Sequence, residues 1–171
     1  VWDLGGNNGK FSRIASQMGL QTISFDIDPS AVEQNYLQVK SAKDKNLVPL
    51  LLDLTNPSPN IGWQTDERTR IQDRGTPDAI LALALIHHLA IANNVPLDRV
   101  AEYFSEIAPW LIIEFVPKGD SQVNRLLASR EDIFPNYTFE GFEEAFSNFY
   151  SIKIKSDIEN TKRKLYLLKR K

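Results

Sequence analysis

Apolar residues along the chain fall into two alternating patterns. Val1-Trp2-Asp3-Leu4, Thr22-Ile23-Ser24-Phe25, Leu47 to Leu52, Ala79 to Leu85 and Trp110 to Val116 are short, dense apolar runs, as strands are. Between them apolar residues recur at helical spacing: Phe11, Ile14, Ala15 and Met18, then Val32, Tyr36 and Val39, then the stretch Leu97 to Ile107. The run Leu47 to Leu52 is almost wholly apolar, as expected of a buried parallel strand. Ala79 to Leu85 is rich in Ala and Leu, and its place in the alternation assigns it as a strand.

Breaker residues mark the joints. Gly5-Gly6-Asn7-Asn8-Gly9 is a turn tolerant of positive φ, Gly19 closes the first helix, and Asp28-Pro29 is an N-cap followed by an N1 proline. Asn56 to Pro77 is irregular, with a short helix predicted over Glu67 to Ile71. Trp63 lies in that stretch, either to stack on a ring or to anchor the loop. Pro117 ends the fifth strand, and helices are predicted over Ser121 to Ser129 and Phe139 to Phe146. Tyr150 to Ile154 and Lys164 to Leu168 read as a closing strand pair. The Asp157 to Thr161 connection is too short for a parallel crossover, so that pair is antiparallel. Phe134, Tyr137, Phe139, Phe142, Phe146, Phe149 and Tyr150 are expected mainly in the core, with part free to roof a pocket. The whole is a three-layer, Rossmann-like α/β fold, a mostly parallel sheet with a C-terminal antiparallel strand.

Composition narrows the chemistry. A chain of 171 residues makes one domain. It has no Cys, which removes disulfides, thiolate catalysis and cysteine zinc sites, and two His leave no histidine-rich metal cluster. No metal is expected. The longest apolar run, Ala79 to Ile86, is far short of the roughly 20 residues that span a bilayer. No basic-then-apolar leader is present, and a cytoplasmic protein is expected. The chain begins directly in a strand, without Met, so an upstream segment is expected. Net charge is -2, yet residues 153–171 carry eight Lys or Arg against two acids. That basic end either contacts nucleic acid or anionic lipid, or forms solvated faces of edge strands.

Parallel sheets bind ligands beyond the carboxyl ends of their strands. Those ends carry Gly5 to Gly9, Asp26 with Asp28, Asp53, His87 with His88, and Glu114. A glycine turn before a helix suits a phosphate or carboxylate. The G-x-G-x-x-G dinucleotide pattern fails at Asn7 and Lys10, and Gly9-Lys10-Phe11 is no P-loop. Asp26 suits a ribose diol, because a carboxylate accepts two hydroxyl hydrogen bonds. Asp53 suits either a ligand or its own following turn.

Taken together, Val1-Trp2-Asp3-Leu4-Gly5-Gly6-Asn7-Asn8-Gly9, Phe25-Asp26-Ile27-Asp28-Pro29, Leu51-Leu52-Asp53-Leu54 and Asp78 to Leu89 with its histidine pair resemble the four motifs of class I S-adenosylmethionine-dependent methyltransferases. The resemblance runs over essentially the whole chain, as one methyltransferase domain over residues 1–171 that lacks the helices usually preceding the first motif. Ala84 to Leu89 and Glu114-Phe115-Val116-Pro117-Lys118 resemble nodulation-related methyltransferases. The family usually has glycine where Asn7 stands, and Asn tolerates the left-handed region.

The resemblance implies S-adenosyl-L-methionine as cofactor. It places Gly5, Gly6, Asn7 and Gly9 under the methionine part and Asp3 at its amino group. Asp26, with Ile27 beside it, falls at the ribose, Asp53 and Leu54 at the adenine, and Ile86 or His87 near the sulfonium. For an oxygen acceptor a base is needed near neutral pH; His88 is the first candidate and His87 the second, each otherwise structural. Glu114 either holds an acceptor hydroxyl or amine or pairs with Arg125, Arg130 or the backbone. No Asn-Pro-Pro-Asp-Tyr-type signature follows the fourth strand, which disfavours adenine and glutamine nitrogen as acceptors. The expected activity is methyl transfer to a small-molecule acceptor at oxygen. The alternatives are a non-catalytic binding module on the same fold and an RNA methyltransferase using the basic tail.

Overall fold

The computed structural model describes residues 1–171. The chain divides into two compact units, Val1–Asp78 and Ala79–Lys171.

The first unit is built on strands β1 (Trp2–Leu4), β2 (Thr22–Asp26) and β3 (Leu47–Leu51), with helices α1 (Lys10–Gln17) and α2 (Pro29–Ala42) between them. β2 pairs in parallel with β1 on one side and β3 on the other. Trp2 meets Phe25 edge to face at 5.3 Å across that pairing. The predicted N-cap is in place, as Asp28 Oδ1 accepts from the Ser30 N–H at 2.8 Å. Gly19 sits just past α1 with φ +83.

β3 corrects the sequence reading. It pairs only with β2, and Val48, Leu50 and Leu51 are exposed. Pro49 lies mid-strand, where an interior strand would need its missing N–H. An apolar run therefore marked an edge and not a buried centre. The irregular stretch holds two 3-10 turns, Trp63–Thr65 and Ile71–Arg74, in place of the predicted helix over Glu67 to Ile71. Arg68 instead bridges antiparallel to Ile61. Trp63 is 78% exposed, so its ring is not buried against the loop.

The second unit contains β4 (Ala79–Ala82), α3 (Leu97–Ile107), β5 (Trp110–Phe115), α4 (Ser121–Leu127), α5 (Phe139–Ser147), β6 (Tyr150–Asp157) and β7 (Lys164–Arg170). β4 and β5 are parallel, β7 is antiparallel to β5, and β6 is antiparallel to β7, as the short connection requires. β4 ends three residues earlier than expected. Ala84 turns the chain with φ +49, a conformation that costs an alanine about 1–2 kcal/mol. A single π-helical turn, His88–Ala92, follows.

The late aromatics are mostly core. Phe142 packs on Phe115 at 5.0 Å, on Phe146 at 4.3 Å and on Tyr166 at 4.9 Å, and Tyr150 is buried beside Phe146. Burial of each such ring contributes roughly 1.5–3 kcal/mol. Phe134 lies instead under the Arg130 guanidinium, 5.0 Å from its ring centre.

Candidate cofactor and acceptor sites

In the first unit the glycine turn is bound to the β2 end. The Gly5 and Gly6 N–H groups both donate to the Phe25 carbonyl, at 2.8 and 2.9 Å. The Asn7 N–H donates to Asp26 Oδ2 at 2.8 Å, and the Asp28 N–H to Asp26 Oδ1 at 2.9 Å. Asn7 adopts φ +48 and its side chain accepts from the Asn8 N–H, so asparagine makes this turn in glycine's place. Gly9 caps α1 at φ +78, and a Cβ there would collide with the side chain of Asn35. The glycine at position 9 thus admits a neighbouring side chain of the protein itself.

Asp3 lies beneath this turn, 2% exposed, and accepts from the Ser12 hydroxyl. Burial disfavours its charge and raises its pKa to about 6, against the opposing Ser12 bonds, with the Asp26 carboxylate adding repulsion. Asp53 is turned to its own loop: Oδ1 accepts from the Thr55 N–H at 2.8 Å and hydroxyl at 2.7 Å. These bonds hold its carboxyl below the usual carboxylate range. Ile27 is exposed and Leu54 half-buried.

In the second unit Ile86 and His87 are both 1% exposed, whereas His88 is exposed. The two imidazole rings lie 4.2 Å apart, tilted by 39°. Neither ring nitrogen of His87 has a hydrogen-bond partner. Burial, then the neighbouring His88 and Arg163, push its pKa down to about 4, with Asp120 opposing. His87 is therefore uncharged at neutral pH.

Glu114, at the end of β5, is buried and paired. Its partner is neither Arg125 nor Arg130. Arg163 Nη1 donates to Glu114 Oε1 at 3.0 Å, while its Nε and Nη2 grip Asp120 at 2.8 and 3.1 Å. Arg130 instead donates to the carbonyls of Ile91 and Ala92 and to Asn94 Oδ1. The basic tail is largely tied down. Lys155 pairs with Glu143 and Lys164 with Asp157; Arg170 donates to the Ser105 carbonyl, and Lys169 lies over the Trp110 ring. A separate cavity of about 740 Å³, lined by Asp98, Glu140 and Glu144 among others, holds none of the candidate cofactor or catalytic residues, but Phe134 and Tyr137 of the late aromatic group line it.

Comparison with solved structures decides the fold. The PH0226 protein of Pyrococcus horikoshii OT3 superposes with a TM-score of 0.69 at 15% identity, over 99% of this chain and 81% of that one. The magnesium protoporphyrin IX methyltransferase ChlM of Synechocystis PCC 6803, solved with bound SAH, gives 0.65 at 15% identity, over 99% and 73%. The bifunctional kinase-methyltransferase WbdD gives 0.63 at 17% identity, over 98% of this chain and 34% of that one. This chain has the class I methyltransferase fold. No protein-family model matches it. Nodulation protein NoeA of Rhizobium meliloti (strain 1021) is 46% identical over 171 residues, 99% of this chain; the chain spans 36% of that relative's length.

Within the methyltransferase fold, the structure gathers Gly5, Gly6, Asn7, Gly9 and Asp26 into one hydrogen-bonded assembly around the end of β2, with Asp3 bonded to Ser12 and near enough to Asp26 to be repelled by it. Asp53 faces Thr55. Sequence reasoning missed Ser12, Asn35 and Arg163. Ser12 carries a local signal, a hydroxyl in the first turn of a helix after a strand-end acid. Arg163 meets Glu114 from 49 residues away and carries none.

Proposed function

We propose that the chain binds S-adenosylmethionine and transfers its methyl group to a hydroxyl oxygen of a small molecule. Asp26 carries this reading. Each of its oxygens takes one backbone N–H, Oδ2 from Asn7 in the glycine turn and Oδ1 from Asp28 ahead of α2, which fixes the carboxylate and leaves a lone pair on each for a diol. The donor set of the unit fits the cofactor: Asp3, Asp26 and Asp53 accept from amino and hydroxyl hydrogens. Bound S-adenosylmethionine supplies the methyl group, carried on a sulfonium whose sulfur keeps the bonding electron pair.

The residues of the chain do the rest by orientation and proton handling. Asp3 meets the amino group, Gly5 to Gly9 line the methionine part, and Asp53 with Leu54 meets the adenine. Ile86 supplies an apolar wall. His87 is a weak base at a pKa near 4, so the exposed His88 is the better group to take the acceptor proton. His87 then stays an uncharged buried ring next to His88, and Glu114 is held at the end of β5 by Arg163.

Calorimetric titration with S-adenosylmethionine and S-adenosylhomocysteine, with NAD as control, tests the reading. Saturable binding of the first two alone is expected, and Asp26→Ala lowers affinity about 10–100-fold. Unchanged affinity removes Asp26 from the site, and absence of binding by the wild-type chain overturns the proposal. One observation favours a second reading, a binding module without catalysis: Asp53 and Glu114 are each spent on partners within the chain. That reading expects S-adenosylhomocysteine binding with no methyl release over any acceptor panel.

A further inference from the structure

Two side chains from two helices meet the glycine turn at Asn8 and Gly9. Arg13 of α1 is half-buried, and its Nη1 donates to the Asn8 carbonyl at 2.8 Å and to Asn35 Oδ1 at 3.2 Å. Its backbone N–H donates to the Gly9 carbonyl at 3.0 Å. Asn35 of α2 is fully buried, and a Cβ added at Gly9 would collide with its Oδ1, Cγ and Nδ2. The flat amide thus fills the space that the glycine leaves.

Asn35 Nδ2 has no hydrogen-bond partner. A buried donor left unbonded is unfavourable, so what Asn35 contributes lies in its other end and in its shape. Oδ1 gives Arg13 an acceptor in the interior, and the planar amide closes one side of the turn. Asn35 is sealed from solvent and meets no ligand; it acts through Arg13 and through the Gly9 backbone. Helix α2 is tied to the turn a second time at its start, where the Asn7 and Asp28 N–H groups share the two oxygens of Asp26.

We propose that Arg13 and Asn35 are positioning residues of the cofactor site: together they clamp Asn8 and Gly9 between α1 and α2, and so hold the turn in the shape that receives the methionine part. The choice of ligand rests on the methyl-transfer reading, whereas the clamp is a property of the free protein. A turn already held in its binding shape loses less freedom when the ligand arrives. Arg13 and Asn35 share one bond, so removing either releases the same segment, and the two act as one unit.

Two measurements on the whole chain test the clamp. The first needs no ligand. Amide hydrogen exchange in Arg13→Met is expected to be about tenfold faster at Asn7 and Gly9, whose N–H groups bond to Asp26 and Gly6, and unchanged at Ile23, which bonds to Val1 across β1 and β2. Unchanged exchange at Asn7 and Gly9 overturns the clamp. An equal acceleration at Ile23 also overturns it, because it means a general loss of stability. The second is calorimetric titration with S-adenosylhomocysteine. Arg13→Met and Asn35→Ala are each expected to raise Kd about tenfold, and the double variant by about the same factor in place of about a hundredfold. Asn35→Asp keeps the flat shape and the acceptor for Arg13, and is expected to stay within about threefold of wild type. A side chain that only stabilises the fold lowers the urea midpoint and leaves the Kd of the folded protein unchanged. A wild-type Kd in folded Arg13→Met therefore overturns the positioning role, and losses that multiply in the double variant overturn the joint action. If Asn35→Ala does not fold, an Asn35→Asp loss as large as that of Arg13→Met overturns the part given to Asn35. Absence of S-adenosylhomocysteine binding by the wild type overturns the methyl-transfer reading instead, and the exchange rates then decide the clamp alone.

Discussion

Gly9 and Asn7 show how two residues of one turn have different freedom. Gly9 has φ +78 and its Cβ position is filled by Asn35, a fully buried side chain. Gly9→Ala therefore meets both backbone strain and a packed neighbour, and is expected to cost about 2 kcal/mol or more by chemical denaturation. Asn7 also has positive φ, but its side chain points into a local bond with the Asn8 N–H. Asn7→Gly trades that bond for a freer backbone and is expected to stay within about 1 kcal/mol of wild type. A Gly9→Ala loss no larger than the Asn7→Gly change would show that Asn35 gives way and that position 9 is not limited by packing or strain.

Helix α1 inverts the usual amphipathic rule. Its spaced apolar residues Phe11, Ile14 and Met18 are exposed, and Ser12, Ala15 and Ser16 are buried. The inward hydroxyls have partners: Ser12 donates to Asp3 and Ser16 to Asp44. Periodicity located the helix and misjudged its inner face, because hydrogen bonds to two acids replace apolar contact there. The β3 edge misled for a similar reason: apolar composition says that a strand exists, not how many neighbours it has. Ile14→Ala is expected to change stability by less than about 0.5 kcal/mol, since Ala is the better helix former and little burial is lost. Ser12→Ala removes a donor from a buried carboxyl and is expected to cost about 1–3 kcal/mol. Urea titration of the two variants distinguishes the inverted helix from an ordinary one, in which Ile14 would be the costly position.

At the scale of the whole molecule, what was legible in the sequence is what is local. The Asp28-Pro29 cap, the glycine turn and the antiparallel hairpin each lie within a few residues, and each is present. The ties made over long separations were not: Arg163 to Glu114, Arg130 to Asn94, and Ser16 to Asp44 join residues whose spacing carries no pattern. Two buried groups that were legible as candidates now bear on the stability of the entire chain, with opposite signs. Asp3 has its pKa raised to about 6 from 3.8, so the folded state holds the extra proton between those values. Stability from Asp3 therefore falls as pH rises through that window. His87 has its pKa lowered to about 4 from 6.5, so the unfolded state holds the extra proton there. Stability from His87 rises with pH over nearly the same window. Each spans about 3 kcal/mol at 1.36 kcal/mol per pKa unit. The carboxylates held low by ion pairs, Asp120 and Glu143 among them, add a loss only at more acid pH. If the chain unfolds cooperatively, the two slopes nearly cancel and wild-type stability is close to flat between about pH 4 and 6. Asp3→Asn removes one slope and keeps an acceptor for Ser12. Its stability is then expected to climb by about 2–3 kcal/mol across the window and to exceed wild type near pH 7, while S-adenosylhomocysteine affinity drops. Urea titrations at half-unit pH steps decide the matter. A wild-type curve that already climbs steeply would mean that Asp3 is ionised in the folded protein, and parallel curves for the two proteins would remove its carboxyl from the balance.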